Sequence, residues 1–340
     1  MKIFCGEIQL QRDEQPLRIA QRDMSIPLKI HMLIQKIAAI AGRAGAFIHN
    51  GKGCKMTLHD CDLCRSAESI ELDFLAPYTD GTPIHVCKGC GFVFVRQRRS
   101  AQEIANAWDP LYEEGYDPSI PAVLGRLTYV AHWAAQHIGG WEGKSVLDIG
   151  AGKGQFLEIA RGLGAYVVGL DPSLVNCRLL RSKDIAAFHG YIDADGLHGQ
   201  SPGNYDVITI LWTLENTQDC MAVLRWAREH LNPGGHLVVA TGSRILVPFK
   251  KPIDLYLSKN PGDTHCFRWS RRSLFSAVGR AGFCNAIPNR YIDHDVLAVV
   301  AEKENRSEIR EEFIDDPAVV VEFFRKWVEH TNWLKSHGIA

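Results

Sequence analysis

The stretch Ser145-Val-Leu-Asp148-Ile-Gly150-Ala-Gly152-Lys-Gly154-Gln-Phe-Leu157 constrains this chain more than any other. Residues 146–149 form a short apolar run of the length of one buried strand. Three glycines follow at alternate positions, and Phe156, Leu157 and Ala160 then recur at helical spacing. A strand that turns on glycines straight into a helix opens a parallel α/β unit. The missing side chains let a ligand lie against the backbone. The helix ends near residues 162–164, and a second strand, Ala165-Tyr-Val-Val-Gly-Leu-Asp171, closes with an acid.

The alternation continues. Tyr205-Asp-Val-Ile-Thr-Ile-Leu211 is nearly all apolar, as a central parallel strand is. Helical periodicity covers residues 221–231 and breaks at Asn232-Pro-Gly-Gly235, and His236-Leu-Val-Val-Ala-Thr241 is the next strand. Residues 273–282 read as a helix, with 283–288 and 295–301 as closing antiparallel strands. The expected class is α/β: a Rossmann-like, seven-stranded domain over residues 141–303.

Two kinds of ligand suit such a turn. Dinucleotides use the same strand–glycine–helix logic, but their fingerprint is GxGxxG, whereas these glycines run GxGxG. Asp148 at the end of the first strand separates the two. A carboxylate there repels a pyrophosphate and attracts a phosphate-free cation such as S-adenosylmethionine (SAM), which carries an ammonium and a sulfonium. Asp171, 23 residues after Asp148, suits hydrogen bonding to two ribose hydroxyls in either case.

A second constellation lies upstream: Cys61-Asp-Leu-Cys64, then 22 residues, then Cys87-Lys-Gly-Cys90-Gly91. Four thiolates at this spacing suit one tetrahedral zinc in a ribbon-like module, with strands expected at residues 83–86 and 92–95. A shell filled by four cysteines leaves no position for water, so the expected metal is structural. The other six of the 10 cysteines are scattered, which favours a reducing, cytoplasmic setting over a disulfide framework.

Length and charge bound the rest. The 340 residues allow about two domains. With 38 basic and 39 acidic side chains, the bulk charge carries no electrostatic footprint for nucleic acid. No apolar run reaches the roughly 20 residues of a membrane-spanning helix. The organisation expected is an extension over 1–58, the cysteine module over 59–100, a helical connector over 101–140, the α/β domain over 141–303 and a final helix within 304–340. Residues 24–58 lack Asp and Glu and carry Lys29, Lys36 and Arg43 at intervals of seven. Residues 24–48 read either as a basic amphipathic helix making peripheral contact with an anionic membrane, or as a helix docked on the domain or a stretch outside the native product.

Residues 141–303, with "LNPGGHLVV" and "HCFRWSRRSLFSAVGRAGF", resemble a class I SAM-dependent methyltransferase. Together with the cysteine module and Tyr112-Glu-Glu-Gly-Tyr116, residues 59–303 resemble the zinc-ribbon-bearing methyltransferases of sugar and surface-polysaccharide biosynthesis. The resemblance implies SAM and structural zinc as cofactors. It implies a SAM pocket lined by Asp148, Gly150, Gly152, Gly154, Asp171 and Tyr191 or Ile192, with Tyr112 and Tyr116 covering the methionine end. The implied acceptor is a small molecule, such as a hydroxyl of a nucleotide- or lipid-linked sugar. Glu215-Asn216 stands where many relatives carry Glu-His.

Candidate bases must project from the strand ends on the cofactor side. Glu215 follows the fourth strand and His265 precedes a helix, and both are candidates. The alternative is a degenerate methyltransferase fold that binds RNA or protein through the cysteine module and its Arg96, Arg98 and Arg99.

Overall fold

The computed structural model describes residues 57–113, 121–200, 203–249, 251–257, 265–292, 294–304 and 314–339. The extension before residue 57, including the stretch 24–48, and Tyr116 lie outside the described residues.

The chain enters the described region through β1 (Thr57–Leu58), β2 (Ser69–Glu71), β3 (Ile84–Cys87), β4 (Val93–Val95) and β5 (Gln97–Arg98). β2, β3 and β4 form an antiparallel sheet, and β1 pairs with β5. Three helices follow: α1 (Ala101–Asn106), α2 (Trp108–Glu113) and α3 (Pro121–Ile138). Ser100 begins α1 with a capping box, accepting from the Glu103 amide while the Glu103 side chain accepts from its own.

The large sheet then forms from β6 (Ser145–Ile149), β7 (Tyr166–Asp171), β8 (Ala186–Asp193), β9 (Gly196–Gly199), β10 (Tyr205–Leu211), β11 (Leu231–Thr241), β13 (Cys284–Pro288) and β14 (Leu297–Glu302). Its order is β13-β14-β11-β10-β6-β7-β8-β9. The five strands from β11 across to β8 are parallel, and the outer pairs are antiparallel. The six strands placed from the sequence are present, β8 is the seventh of the expected sheet and β9 is an eighth. It arises from a tight hairpin in which Asp193 faces Gly196, Asp193 accepts from the Asp195 amide, and Gly196 adopts φ 106°.

Alternation along the strands divides the core. Val146, Val207, Val238 and Val300 face α3 and α4 (Gln155–Gly162), where Leu127, Ala131, Ala134 and Phe156 cover them. Leu147, Ile208, Leu237 and Val299 face α6 (Cys220–Glu229) and α7 (Arg271–Arg280), covered by Met221, Leu224, Leu274 and Ala277. Coverage on both faces is why the central strands read as near-continuous apolar runs. α5 (Leu174–Ser182) connects β7 to β8.

The cysteine module is not confined to residues 59–100. The short strand β12 (Phe267–Arg268) pairs antiparallel with β4, so the module's sheet runs β12-β4-β3-β2. The last helix, α8 (Pro317–Ser336), buries Val320, Phe324 and Trp327 against Leu72, Leu75, Ile84 and Val93. It therefore packs on the cysteine module. Burying aromatic residues this way is worth roughly 3–5 kcal/mol each when truncated to alanine. Gly91, at φ 71°, lets the chain before α8 lie on the second knuckle, where a Cβ would sit 2.5 Å from the Asp315 carbonyl oxygen.

Candidate active site

The sheet reverses its strand order between β6 and β10, and the crevice of a parallel sheet opens at such a point. Two joined cavities occupy it. The larger, of about 320 Å³, is lined by Asp148, Gly150, Gly152, Asp171, Tyr112, Arg126, Leu127, Trp212 and Asn216 among others. The smaller, of about 80 Å³, is largely apolar and lies between Ile104 and Ala105 of α1, Ile149, Leu170, and Tyr191 and Ile192 of β8. Gly150, Trp108, Pro172, Thr213 and Asn216 border both.

Asp148 forms part of the larger cavity's wall and is 3% exposed. Its Oδ1 accepts from the Thr209 hydroxyl at 2.6 Å. Among the described residues no cationic side chain pairs with it. Burial pushes its carboxyl up to about 7, with the Asp171 charge adding to the rise and the Thr209 bond opposing it. A carboxylate buried without a cation is costly, and it has a strong preference for a cationic ligand.

Asp171 at the end of β7 accepts from the amides of Gly152, at 2.7 Å, and Ser173, at 2.9 Å, and from Asn176 Nδ2 at 3.1 Å. Burial raises its carboxyl, and these donors pull it back. It thus fixes the glycine turn while lining the cavity. Asp109 of α2 accepts from the Ser173 hydroxyl, which docks α2 beside the site. Tyr112 on that helix brings its hydroxyl close to Gly152, within 3.6 Å of where a Cβ would stand.

The three glycines divide their work. Gly150 has φ 76°, and a Cβ there would lie 2.2 Å from Thr213 Oγ1. Gly152 faces the cavity. Gly154 lines neither cavity, because Leu180 of α5 fills the space beside it and a Cβ would meet Leu180 Cδ2 at 2.3 Å. Its part is packing.

Sequence reasoning missed Arg126. It sits half-buried on α3 with Val123 and Leu127, one helical face that lines the larger cavity. The signal was its i+3 relation to Val123 within an amphipathic helix. Trp212 follows β10 in the left-handed region, φ 53°, a rare conformation for a large side chain.

Glu215 and His265 are brought together but line neither cavity. Glu215 is 1% exposed, its Oε1 accepting from the Thr241 hydroxyl at 2.7 Å. Burial raises its carboxyl, and the neighbouring His265 lowers it. His265 Nδ1 is 3.0 Å from Ser243 Oγ. Arg268 is buried and donates to the His265 carbonyl at 3.1 Å.

The four cysteines converge. Cys61 and Cys90 sulfurs are 3.6 Å apart, Cys64 and Cys87 sulfurs 3.3 Å, and all four lie within 4.8 Å of one another. A tetrahedron with metal–sulfur bonds of about 2.3 Å has sulfur–sulfur edges of about 3.8 Å, so the set has the size a zinc shell needs. The Gly89 amide donates to Cys87 Sγ at 3.3 Å. Nearby, Arg96 pairs with Asp60 and Arg98 is fully buried, so neither is a free cation for nucleic acid.

Residues 124–286 match the family model described as a methyltransferase domain. The fold is that of a class I methyltransferase. Its curated relatives include a ubiquinone biosynthesis O-methyltransferase of Cupriavidus pinatubonensis, 33% identical over 135 residues, 38% of this chain and 54% of that protein. Another, of Acinetobacter baylyi, is 31% identical over 118 residues, 33% of this chain and 50% of that protein. The chain spans about half the length of the curated relatives it matches. An S-adenosylmethionine dependent methyltransferase from Mesorhizobium loti is similar in structure, with TM-score 0.40 and 21% identity over 52% of this chain and 99% of that one. The family match does not extend to residues 59–100 of the cysteine module or to α8.

Proposed function

We propose that this protein transfers a methyl group from SAM to a hydroxyl of a small molecule, a sugar or polysaccharide precursor being the acceptor class. The observation that carries this reading is the buried, cation-free carboxylate of Asp148 on the cofactor cavity. That charge excludes a pyrophosphate and suits the cationic methionine end of SAM. Arg126, on the same cavity, complements the carboxylate of that end, and Tyr112 covers it. The small apolar cavity between Ile104 and Tyr191 takes the adenine. Zinc on Cys61, Cys64, Cys87 and Cys90 holds the module that carries α1 and α8.

SAM supplies an activated methyl on a sulfonium. Its positive charge disappears as the new bond forms, so a water-poor cavity favours transfer. The residues named hold the donor in line with the acceptor, an effect worth roughly 7–11 kcal/mol when geometry is near-attack. A hydroxyl acceptor must lose a proton; His265, 3.0 Å from Ser243 Oγ and beside buried Glu215, is outside the lining of both cavities, so it is the base we assign only for an acceptor whose hydroxyl extends past the cofactor cavity to reach it. The names of the curated relatives support oxygen as the methylated atom. The sugar reading rests on the resemblance of residues 59–303 to sugar-pathway enzymes.

Calorimetry with SAM and with NAD tests the proposal. One saturable SAM site per chain and no dinucleotide binding are expected. A dinucleotide bound on the glycine turn, or no SAM binding, overturns it.

A further inference from the structure

Arg98 joins the cysteine centre to the smaller cavity. It is 1% exposed, and its guanidinium grips Asp62 through two bonds of 2.9 and 2.6 Å. Asp62 lies inside the first knuckle, between Cys61 and Cys64. The same guanidinium donates to the Val95 carbonyl at 2.6 Å and to the Gln218 carbonyl at 2.6 Å, and it stacks 4.5 Å from the Phe267 ring centroid. Gln218 lines the small apolar cavity, and its side chain returns a bond to the Arg99 carbonyl at 3.2 Å. Two residues after Arg98, Ser100 caps α1, whose Ile104 and Ala105 also line that cavity. One residue therefore links two parts of that cavity's lining to the knuckle.

We infer that Arg98 is a positioning residue that makes the adenosine end of the cofactor site depend on the closed cysteine knuckle. The inference rests on the SAM reading above. Asp62, held between Cys61 and Cys64 of the cysteine cluster, fixes the guanidinium, and the guanidinium sets the spacing of Gln218 from α1. The partners are reached from three separate nitrogens of a planar fork, a span that a lysine, with its three donors on one nitrogen, does not have. The cysteine centre then serves ligand binding as well as folding.

The test is calorimetry on the zinc-loaded full chain with SAM and with 5′-methylthioadenosine, which lacks the methionine charges. Arg98→Lys is expected to weaken both ligands by about tenfold, the scale of one charge-assisted hydrogen bond. Zinc content should stay at one per chain. Gln218→Leu, which buries no new charge, is expected to weaken both ligands in the same proportion by a few-fold, and it serves if Arg98→Lys does not fold. Wild-type affinity for methylthioadenosine in whichever variant folds overturns the inference while leaving the SAM reading intact. Failure of the wild type to bind SAM overturns the reading itself.

Discussion

Thr209 on β10 donates its only hydroxyl proton to Asp148, its direct register partner on β6, at 2.6 Å. That bond is weak compensation for a carboxylate removed from water, so the carboxyl is pushed up to about 7. The α/β domain therefore holds a poorly solvated acid beside its larger cavity, and a cationic ligand would relieve that cost. Stability and ligand affinity consequently respond to pH in opposite directions at this one residue.

The pH dependence of SAM binding follows. The folded, ligand-free carboxyl titrates near 7, above the ordinary value of 3.8. This group's stabilising contribution to the free fold is complete below 3.8 and is lost as pH rises through about 7. SAM selects the ionised form, so its affinity rises with pH up to about 7 and then levels, by at most about tenfold per pH unit. Calorimetry at pH 6 in buffers of different ionisation enthalpy should show about one proton released on binding. A flat affinity between pH 5.5 and 8 would contradict the assignment.

Thr209→Val keeps the shape and removes the bond. The Asp148 carboxyl then rises further, so at pH 7 SAM affinity should drop, roughly three- to tenfold for a lost hydrogen bond to a charged group. Raising the pH to 9 should restore most of it. Asp148→Asn gives the contrasting result: affinity falls at every pH, and the ligand-free protein gains thermal stability at pH 8. The two pH profiles, measured side by side, check both expectations.

Gly152→Ala and Gly154→Ala should separate binding from folding. At Gly152 the nearest atom to an added Cβ is Tyr112 Oη at 3.6 Å, so the substitution costs only the left-handed backbone, about 1–2 kcal/mol, yet it puts a methyl against the cavity. At Gly154 the Cβ would strike Leu180 inside the core. The expected outcome is a large loss of SAM affinity with a small fall in melting temperature for the first, and the reverse order for the second. Scanning calorimetry with and without SAM distinguishes them.

Much of this was readable from the chain. The turn from Asp148 to Gly154, the second acid Asp171 and the apolar run at β10 carry local signals, because strand, glycine turn and helix are each set by neighbours in sequence. The two CxxC pairs announced their own convergence. What escaped were long-range relations. Nothing near Phe267 and Arg268 indicates that they complete a sheet with β4, and the apolar stripe of α8 does not say which surface it covers. Arg126 carries no motif of its own, and only the packing of α3 places it on the larger cavity. Gly154 shares the motif of the other two glycines, and only the fold shows Leu180 packed beside it. Arg98 read as a basic edge, and only the fold shows it buried on Asp62.

The metal centre gives the last prediction. Substituting Cys87→Ser removes one thiolate from a set whose sulfurs lie within 4.8 Å of one another. Structural zinc sites bind with about 10–16 kcal/mol of apparent free energy, and much of that is folding energy in small modules. Here part of the module's stability comes from elsewhere, since Phe324 and Trp327 of α8 and the β12–β4 pairing hold it from outside. Loss of the metal should therefore destabilise the protein without unfolding the α/β domain, lowering the melting temperature by about 10 °C for a loss of roughly 3–5 kcal/mol. Wild type treated with a strong chelator should melt near the variant, and the chelator should not lower the variant further. Metal analysis should give one zinc per chain for wild type and less for Cys87→Ser. If both proteins melt together and neither holds zinc when prepared under reducing conditions, the cysteine cluster is not a metal site.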